Sequence, residues 1–264
     1  MENIEKHVGF ILSECNKGGQ RTLTADLMKE LARLKGGDII GIAPVDRFEM
    51  APQGFHPEDI LADARSVIVI GKYFPLGVLL GRSKAAMTNA IDTVFSALDH
   101  CAYELSCYLE KTGERAVPVP ADRPYISWDI DRQHGCGDLS HKHAAVLAGL
   151  GSLGKNSLLL TPEFGNRINL VSVVTTLALQ GDPLLERDLC IQECDLCIRS
   201  CPAKAIRKGG KVVQKECRKH HSISTPRGFT LFACWECRKI CPARGSKAPY
   251  PSRAEKSDDE LFQI

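Results

Sequence analysis

Eight cysteines lie between Cys190 and Cys241, and two of them are followed at once by proline. The runs are Cys194-x2-Cys197-x3-Cys201-Pro202 and Cys234-x2-Cys237-x3-Cys241-Pro242, with Cys190 and Cys217 upstream of each. Thiolates at this spacing, closed by Cys-Pro, hold [4Fe–4S] clusters, and eight ligands make two. A chain so equipped moves single electrons. The alternative is structural zinc, which also uses paired C-x2-C knuckles but needs neither the third cysteine nor the proline. A disulfide framework is disfavoured by the charged start, Met1-Glu2-Asn3-Ile4-Glu5-Lys6, which carries no secretory pattern. A cytoplasmic location is therefore expected, and dense cysteine there means metal or catalysis.

The two runs resemble those of bacterial-type two-cluster ferredoxins, in which the cysteine before proline ligates the other cluster. That resemblance implies one set of Cys190, Cys194, Cys197 and Cys241, and a second of Cys217, Cys234, Cys237 and Cys201. The Cys190-x3-Cys194 step is one residue longer than the ferredoxin pattern, and Cys217 stands 17 positions ahead of Cys234. One cluster with spare thiols stays open as an alternative. Cys15, Cys101 and Cys107 are read as small buried hydrophobes.

The 264 residues suffice for one large domain or two moderate ones. No apolar run approaches the roughly 18–20 residues of a membrane helix, so no membrane association is expected. The net charge of +2 is uneven. Residues 181–253 hold 15 Lys/Arg against 7 Asp/Glu, residues 1–180 hold 18 against 21, and the remainder holds one against four. Part of the basic excess offsets anionic clusters. A basic face for RNA is the sharper alternative, without aromatic interleaving or a binding motif to support it.

Apolar positions 23, 27, 28, 31 and 34 predict a helix over 22–35, ended by Gly36-Gly37. Strands are expected at 38–44, 64–71 and 171–177, and an extended segment at 116–120. A helical turn begins at His56-Pro57. Helices are expected over 85–111 and 140–150. Alternating helices and short apolar strands predict a layered α/β (α+β) core over 1–180 holding the cofactor or substrate. A two-[4Fe–4S] module is expected over 181–245 and a polar, frayed tail over 246–264.

Gly149-Leu150-Gly151-Ser152-Leu153-Gly154 matches the G-x-G-x-x-G dinucleotide fingerprint, and Gly149-x4-Gly154-Lys155 nearly matches a phosphate-binding loop. The context excludes both. A helical pattern precedes the glycines where the fingerprint needs a strand, and Asn156 stands where the loop needs Ser or Thr. A glycine-rich helix end permitting close backbone approach is expected instead.

With its surroundings this segment resembles a family. Ala148-Gly149-Leu150-Gly151-Ser152-Leu153-Gly154-Lys155-Asn156-Ser157-Leu158-Leu159-Leu160 is similar to the A-G-L-G-x-x-G-K-N-x-L-L stretch of epoxyqueuosine reductases. The segment from Pro57 to Ile70 and the two Cys-Pro runs follow in the same family's order. The match covers roughly residues 25–245 and extends to reductive dehalogenases. It implies a core like flavin and cobalamin reductases, with two [4Fe–4S] clusters feeding a corrinoid, cobalamin, or a substrate there. It also implies a low-potential donor of flavodoxin or ferredoxin type, with tRNA as a lesser partner expectation. Gly151, Gly154, Lys155 and Asn156 become candidate cofactor contacts; for Lys155 a solvated surface role stays open. An electron-transfer protein without its own turnover is the second functional expectation.

The chain departs from the family in three ways. Where those enzymes place a catalytic Asp ahead of the A-G-L-G motif, this sequence has Gly135, between His134 and Cys136. Ser152 replaces the usual tryptophan, and the chain ends before any helical-repeat extension. His134, Asp138 and His141 are candidate proton donors at a substrate face, since imidazole titrates near neutral pH. The plainer alternative makes Asp138 or Ser140 a helix N-cap and the histidines first-turn polar residues.

Overall fold

The computed structural model describes residues 23–243 and Gly245. Cys15, the charged start and the expected polar tail lie outside the described residues. Thr24 opens α1 (Ala25–Leu34) by accepting from the Leu27 amide at 3.2 Å. Then come β1 (Ile39–Pro44), a 3-10 turn at Val45–Phe48, α2 (Pro57–Ile60), β2 (Ser66–Tyr73), α3 (Leu76–Leu80) and α4 (Lys84–Lys111). Next are β3 (Ala116–Val119), the hairpin of β4 (Ser127–Asp129) and β5 (His134–Cys136), and α5 (His141–Leu147). The short hairpin of β6 (Ser152–Leu153) and β7 (Leu159–Leu160) leads to β8 (Ile168–Thr175). After Gly181 only short elements occur: α6 (Leu196–Arg199), α7 (Gln214–His221), β9 (Ser222–Ser224), β10 (Thr230–Phe232) and α8 (Glu236–Lys239).

The central sheet has the order β1-β2-β8-β3 and is antiparallel throughout. Its strands read as continuous apolar runs because both faces are covered. Ile40, Ile42, Ile68, Ile70, Val171 and Val173 point to one face, with α1 and α4. Ile39, Ala43, Val67, Val69, Leu170 and Val174 point to the other, against α5 and the 3-10 turn. This is the period-two alternation of a pleated strand. Helix α4 buries Met87, Ile91, Val94, Leu98, Ala102, Leu105 and Leu109, a stripe at helical spacing. Two expected strands are displaced. Pairing of Tyr73 with Ile168 extends β2 and β8 past the residues whose β-branching announced them, to 66–73 and 168–175. The helix expected over 140–150 stops at Leu147, where Gly149 takes φ +71° and its amide bonds to the Val146 carbonyl at 3.0 Å. A Cβ at Gly149 would lie 2.1 Å from the Pro183 carbonyl oxygen, so this end is a close approach as well as a cap.

The cysteine-bearing segment is anchored to that core at several points. Trp235, between Cys234 and Cys237, is 7% exposed and belongs to the same apolar cluster as α4. Its ring lies 4.9 Å from that of Phe74. The Phe232 amide donates to Thr88 Oγ1 on α4 at 2.8 Å. Asp182 accepts from the Ile42 amide at 2.8 Å and pairs with Lys29.

Candidate metal centre

The eight clustered cysteines fall into two spatial groups of four. Cys190, Cys194, Cys197 and Cys241 line one cavity, together with Gly154, Lys155, Asn156 and Leu160. Burial, reinforced by the neighbouring Cys241, Cys190 and Cys194, pushes the Cys197 thiol up to about 11. The second group surrounds Cys217, whose thiol is raised by burial and by Cys201 and Cys234. Cys237 is pushed up to about 12, mainly by burial, partly opposed by the Arg238 guanidinium, with Cys217, Cys234 and, from the first group, Cys197 among its neighbours. In each group desolvation and mutual repulsion oppose the thiolate form. Without a cationic centre beside them these cysteines rest as neutral thiols. The Ala205 amide donates to Cys201 Sγ at 3.3 Å, an interaction that strengthens as the sulfur gains charge. The grouping arises because Cys197 and Cys237 lie on the one-turn helices α6 and α8, which pack together and bring each Cys-Pro to the other run.

Cys101 is 1% exposed, its thiol donating toward the Ala32 carbonyl at 3.5 Å, and burial pushes it up to about 11. It is the small buried hydrophobe the sequence predicts. Cys107 is only half-buried.

The glycine segment faces the cysteines rather than an open cofactor cleft. Gly151 lies so close to β7 that a Cβ would sit 2.0 Å from the Leu160 carbonyl oxygen. At the hairpin tip Lys155 Nζ donates to the carbonyls of Ile191 at 3.4 Å and Cys194 at 2.8 Å, and also to that of Gln192. Asn156 Nδ2 donates to the Cys237 carbonyl at 3.3 Å, and its Oδ1 accepts from the Leu158 amide. A Cβ at Gly154 would meet Asn156 Oδ1 at 2.7 Å. Ser152, in the place of the family's tryptophan, accepts from the Leu189 amide at 2.9 Å. Of the four candidate cofactor contacts, Lys155 and Asn156 bond to the cysteine loops, Gly154 lines the cysteine cavity with them, and Gly151 packs against β7. An open cleft of about 850 Å³ lies elsewhere, lined by Asp46, Glu49, His56, Arg65, Thr176 and Leu179 among others. None of the residues nominated from the sequence lines it.

The candidate proton donors are not brought together. His141 is enclosed: its Nε2 donates to the Pro120 carbonyl at 2.8 Å, so its Nδ1 accepts from the Ser172 hydroxyl at 2.9 Å. Burial holds this imidazole below its ordinary pKa, opposed by the Pro120 carbonyl and Asp99. Both ring nitrogens are engaged, and the residue ties α5 to β8. Asp138 is half-buried and His134 is exposed on β5, paired in register with Asp129. Ser140 stands at the N-cap of α5, and its hydroxyl meets His143 Nδ1 at 2.7 Å instead of a helix amide. Gly135 has a physical cause: a Cβ there would lie 2.9 Å from the Tyr125 ring, so an acid at that position would displace the ring.

Two further residues at the centre went unread in the sequence. Arg238 donates to the Asn166 carbonyl, with its guanidinium carbon 5.3 Å from the Phe74 ring centre and 5.8 Å from that of Trp235. Asn166 Nδ2 returns a bond to the Arg238 carbonyl at 3.1 Å. Burial lowers the Arg238 guanidinium to about 10, opposed by Cys237. Its position directly after a candidate ligand was the available signal.

No protein-family model matches the chain. Among curated relatives, the epoxyqueuosine reductase of Bacillus subtilis is 28% identical over 120 residues, covering 42% of this chain and 31% of that protein. The tetrachloroethene reductive dehalogenase of Dehalobacter restrictus is 29% identical over 214 residues, covering 78% of this chain and 34% of that one. The chain thus spans about a third of the length of these relatives. In solved structures the fold recurs in an epoxyqueuosine reductase bound to a tRNA stem loop, with a TM-score of 0.57, 18% identity, and coverage of 85% and 67%. It recurs also in a reductive dehalogenase described for B12-dependent dehalogenation, with a TM-score of 0.66, 21% identity, and coverage of 89% and 34%. In sequence and in fold the chain is a divergent relative of epoxyqueuosine reductases and reductive dehalogenases.

Proposed function

We propose that the protein is an iron–sulfur oxidoreductase holding one [4Fe–4S] cluster on Cys190, Cys194, Cys197 and Cys241 and a second on Cys201, Cys217, Cys234 and Cys237. The observation that carries this is the sorting of eight thiols into two groups of four, each joining three cysteines of one run to the Cys-Pro of the other. The third cysteine and the proline that close each run, which a zinc knuckle does not need, favour a polynuclear core over zinc. When bound, the clusters supply one-electron transfer; the chain shields the sulfurs, fixes their spacing and sets the surrounding charge.

Electrons pass from a low-potential donor, of flavodoxin or ferredoxin type, to an acceptor held by the α/β core. Reductase activity on that acceptor is the reading favoured by both groups of relatives. A corrinoid is a candidate acceptor on the strength of the B12-dependent relative. His134 and Asp138 keep their candidacy as proton donors. The test is anaerobic purification with iron and acid-labile sulfide analysis, followed by cobalamin titration. About eight iron and eight sulfide per chain are expected for two clusters; a colourless, sulfide-free protein refutes the assignment. A spectral change with cobalamin would name the acceptor.

A second reading, electron transfer without turnover, is favoured by Gly135 at the acid position and by the internal commitments of His141, Lys155 and Asn156. Turnover of any substrate by the isolated, reduced protein would dismiss it.

A further inference from the structure

Lys155 directs its hydrogen bonds to one loop. An ammonium has three donors, and the three acceptors it reaches are the carbonyls of Ile191, Gln192 and Cys194, on the loop that runs from Cys190 to Cys194. The same lysine lines the cavity formed by Cys190, Cys194, Cys197 and Cys241. The next residue turns to the other group, with Asn156 Nδ2 on the carbonyl of Cys237. Consecutive residues at the tip of the β6–β7 hairpin therefore grip one ligand-bearing loop of each group. Carbonyls orient an ammonium without neutralising it, so its positive charge acts on the thiolate-rich cavity it lines. A four-thiolate cluster is anionic and gains a further negative charge on reduction. A cation held beside it, even at a partly exposed site, stabilises the reduced form more than the oxidised one.

We propose that Lys155 and Asn156 are a positioning pair that fixes the separation of the two clusters, and that the Lys155 charge favours reduction of the cluster held by Cys190, Cys194, Cys197 and Cys241. This rests on the cluster assignment above, and the test separates the two. Full-length, anaerobically reconstituted protein is titrated with reductant and followed by electron paramagnetic resonance as wild type, K155Q, K155R and N156A.

In K155Q, with iron still at about eight per chain, one of the two reduction equilibria should become about tenfold less favourable, roughly 59 mV for a one-electron couple. K155R should restore it. N156A should leave both potentials in place and alter the magnetic coupling between the two reduced clusters. An unchanged potential in K155Q, an equal shift in K155R, or unaltered coupling in N156A overturns the proposal. If K155Q sheds one cluster, its retention in K155R supports the role of charge, and loss from both overturns it. Wild-type protein without iron and sulfide would instead sink the cluster assignment itself.

Discussion

His141 illustrates how far a residue's chemistry depends on partners remote in the chain. A histidine beside two others reads as an acid–base candidate. Its partners, Pro120 and Ser172, lie 21 and 31 positions away, and nothing local announces them. Replacing it with alanine leaves a buried hydroxyl and a buried carbonyl unpaired, at about 1–3 kcal/mol each. H141A should therefore show a lower denaturation midpoint. Because the folded state resists protonating this ring, the unfolded chain binds more protons near and below about pH 6.5. The His141 contribution is complete above that pH and is lost on acidification. His143, exposed on α5 and also lowered, by desolvation and by Lys142, adds in the same sense. A plot of unfolding free energy against pH should fall below about 6.5 in the wild type and less steeply in H141Q.

The β6–β7 hairpin carries the clearest element-scale expectation. Its two strands approach until Gly151 all but touches the Leu160 carbonyl, a spacing that admits no side chain. G151A should cost about 1–3 kcal/mol through forced backbone movement and should also lower the iron content, because the tip would leave the cysteine loops. S83A, which removes the hydroxyl capping the distant α4 at 3.1 Å from the Ala86 amide, should cost about 1 kcal/mol and leave iron unchanged. Measuring stability and iron in both variants separates the hairpin's role at the centre from general destabilisation. Strand and helix identities were legible here from periodicity and β-branched runs such as Val67 to Ile70. The contacts of Lys155 were not, since its partners lie 36 to 39 positions on, in a segment without apolar pattern.

Across the whole molecule the basic excess after Gly181 and the clustered cysteines belong to the same segment, and no helix among the described residues is long and apolar enough to cross a membrane. Cysteine spacing suggested the candidate ligands, and the ferredoxin pattern suggested how they would pair. Spacing alone did not show that Trp235 would bury itself in the core of the sheet domain, because tryptophan between two cysteines carries no local signal. The crossed grouping predicts matched phenotypes: C190S and C241S should alter one resonance signal, while C217S and C201S alter the other. Matching by sequence run instead, with C190S resembling C201S, would show uncrossed ligation.

Crossed grouping also governs when the sites can be completed as the chain emerges during synthesis. Cys190 appears early but lacks its fourth partner until Cys241, and Cys201 waits for Cys237. Both sites therefore become complete within a span of five residues, after the sheet that anchors Trp235 has already been made. On the proposed assignment, metal delivery is thereby postponed until Cys241 has been made, and a message cut short just before it would yield a polypeptide with the sheet scaffold but an incomplete ligand set.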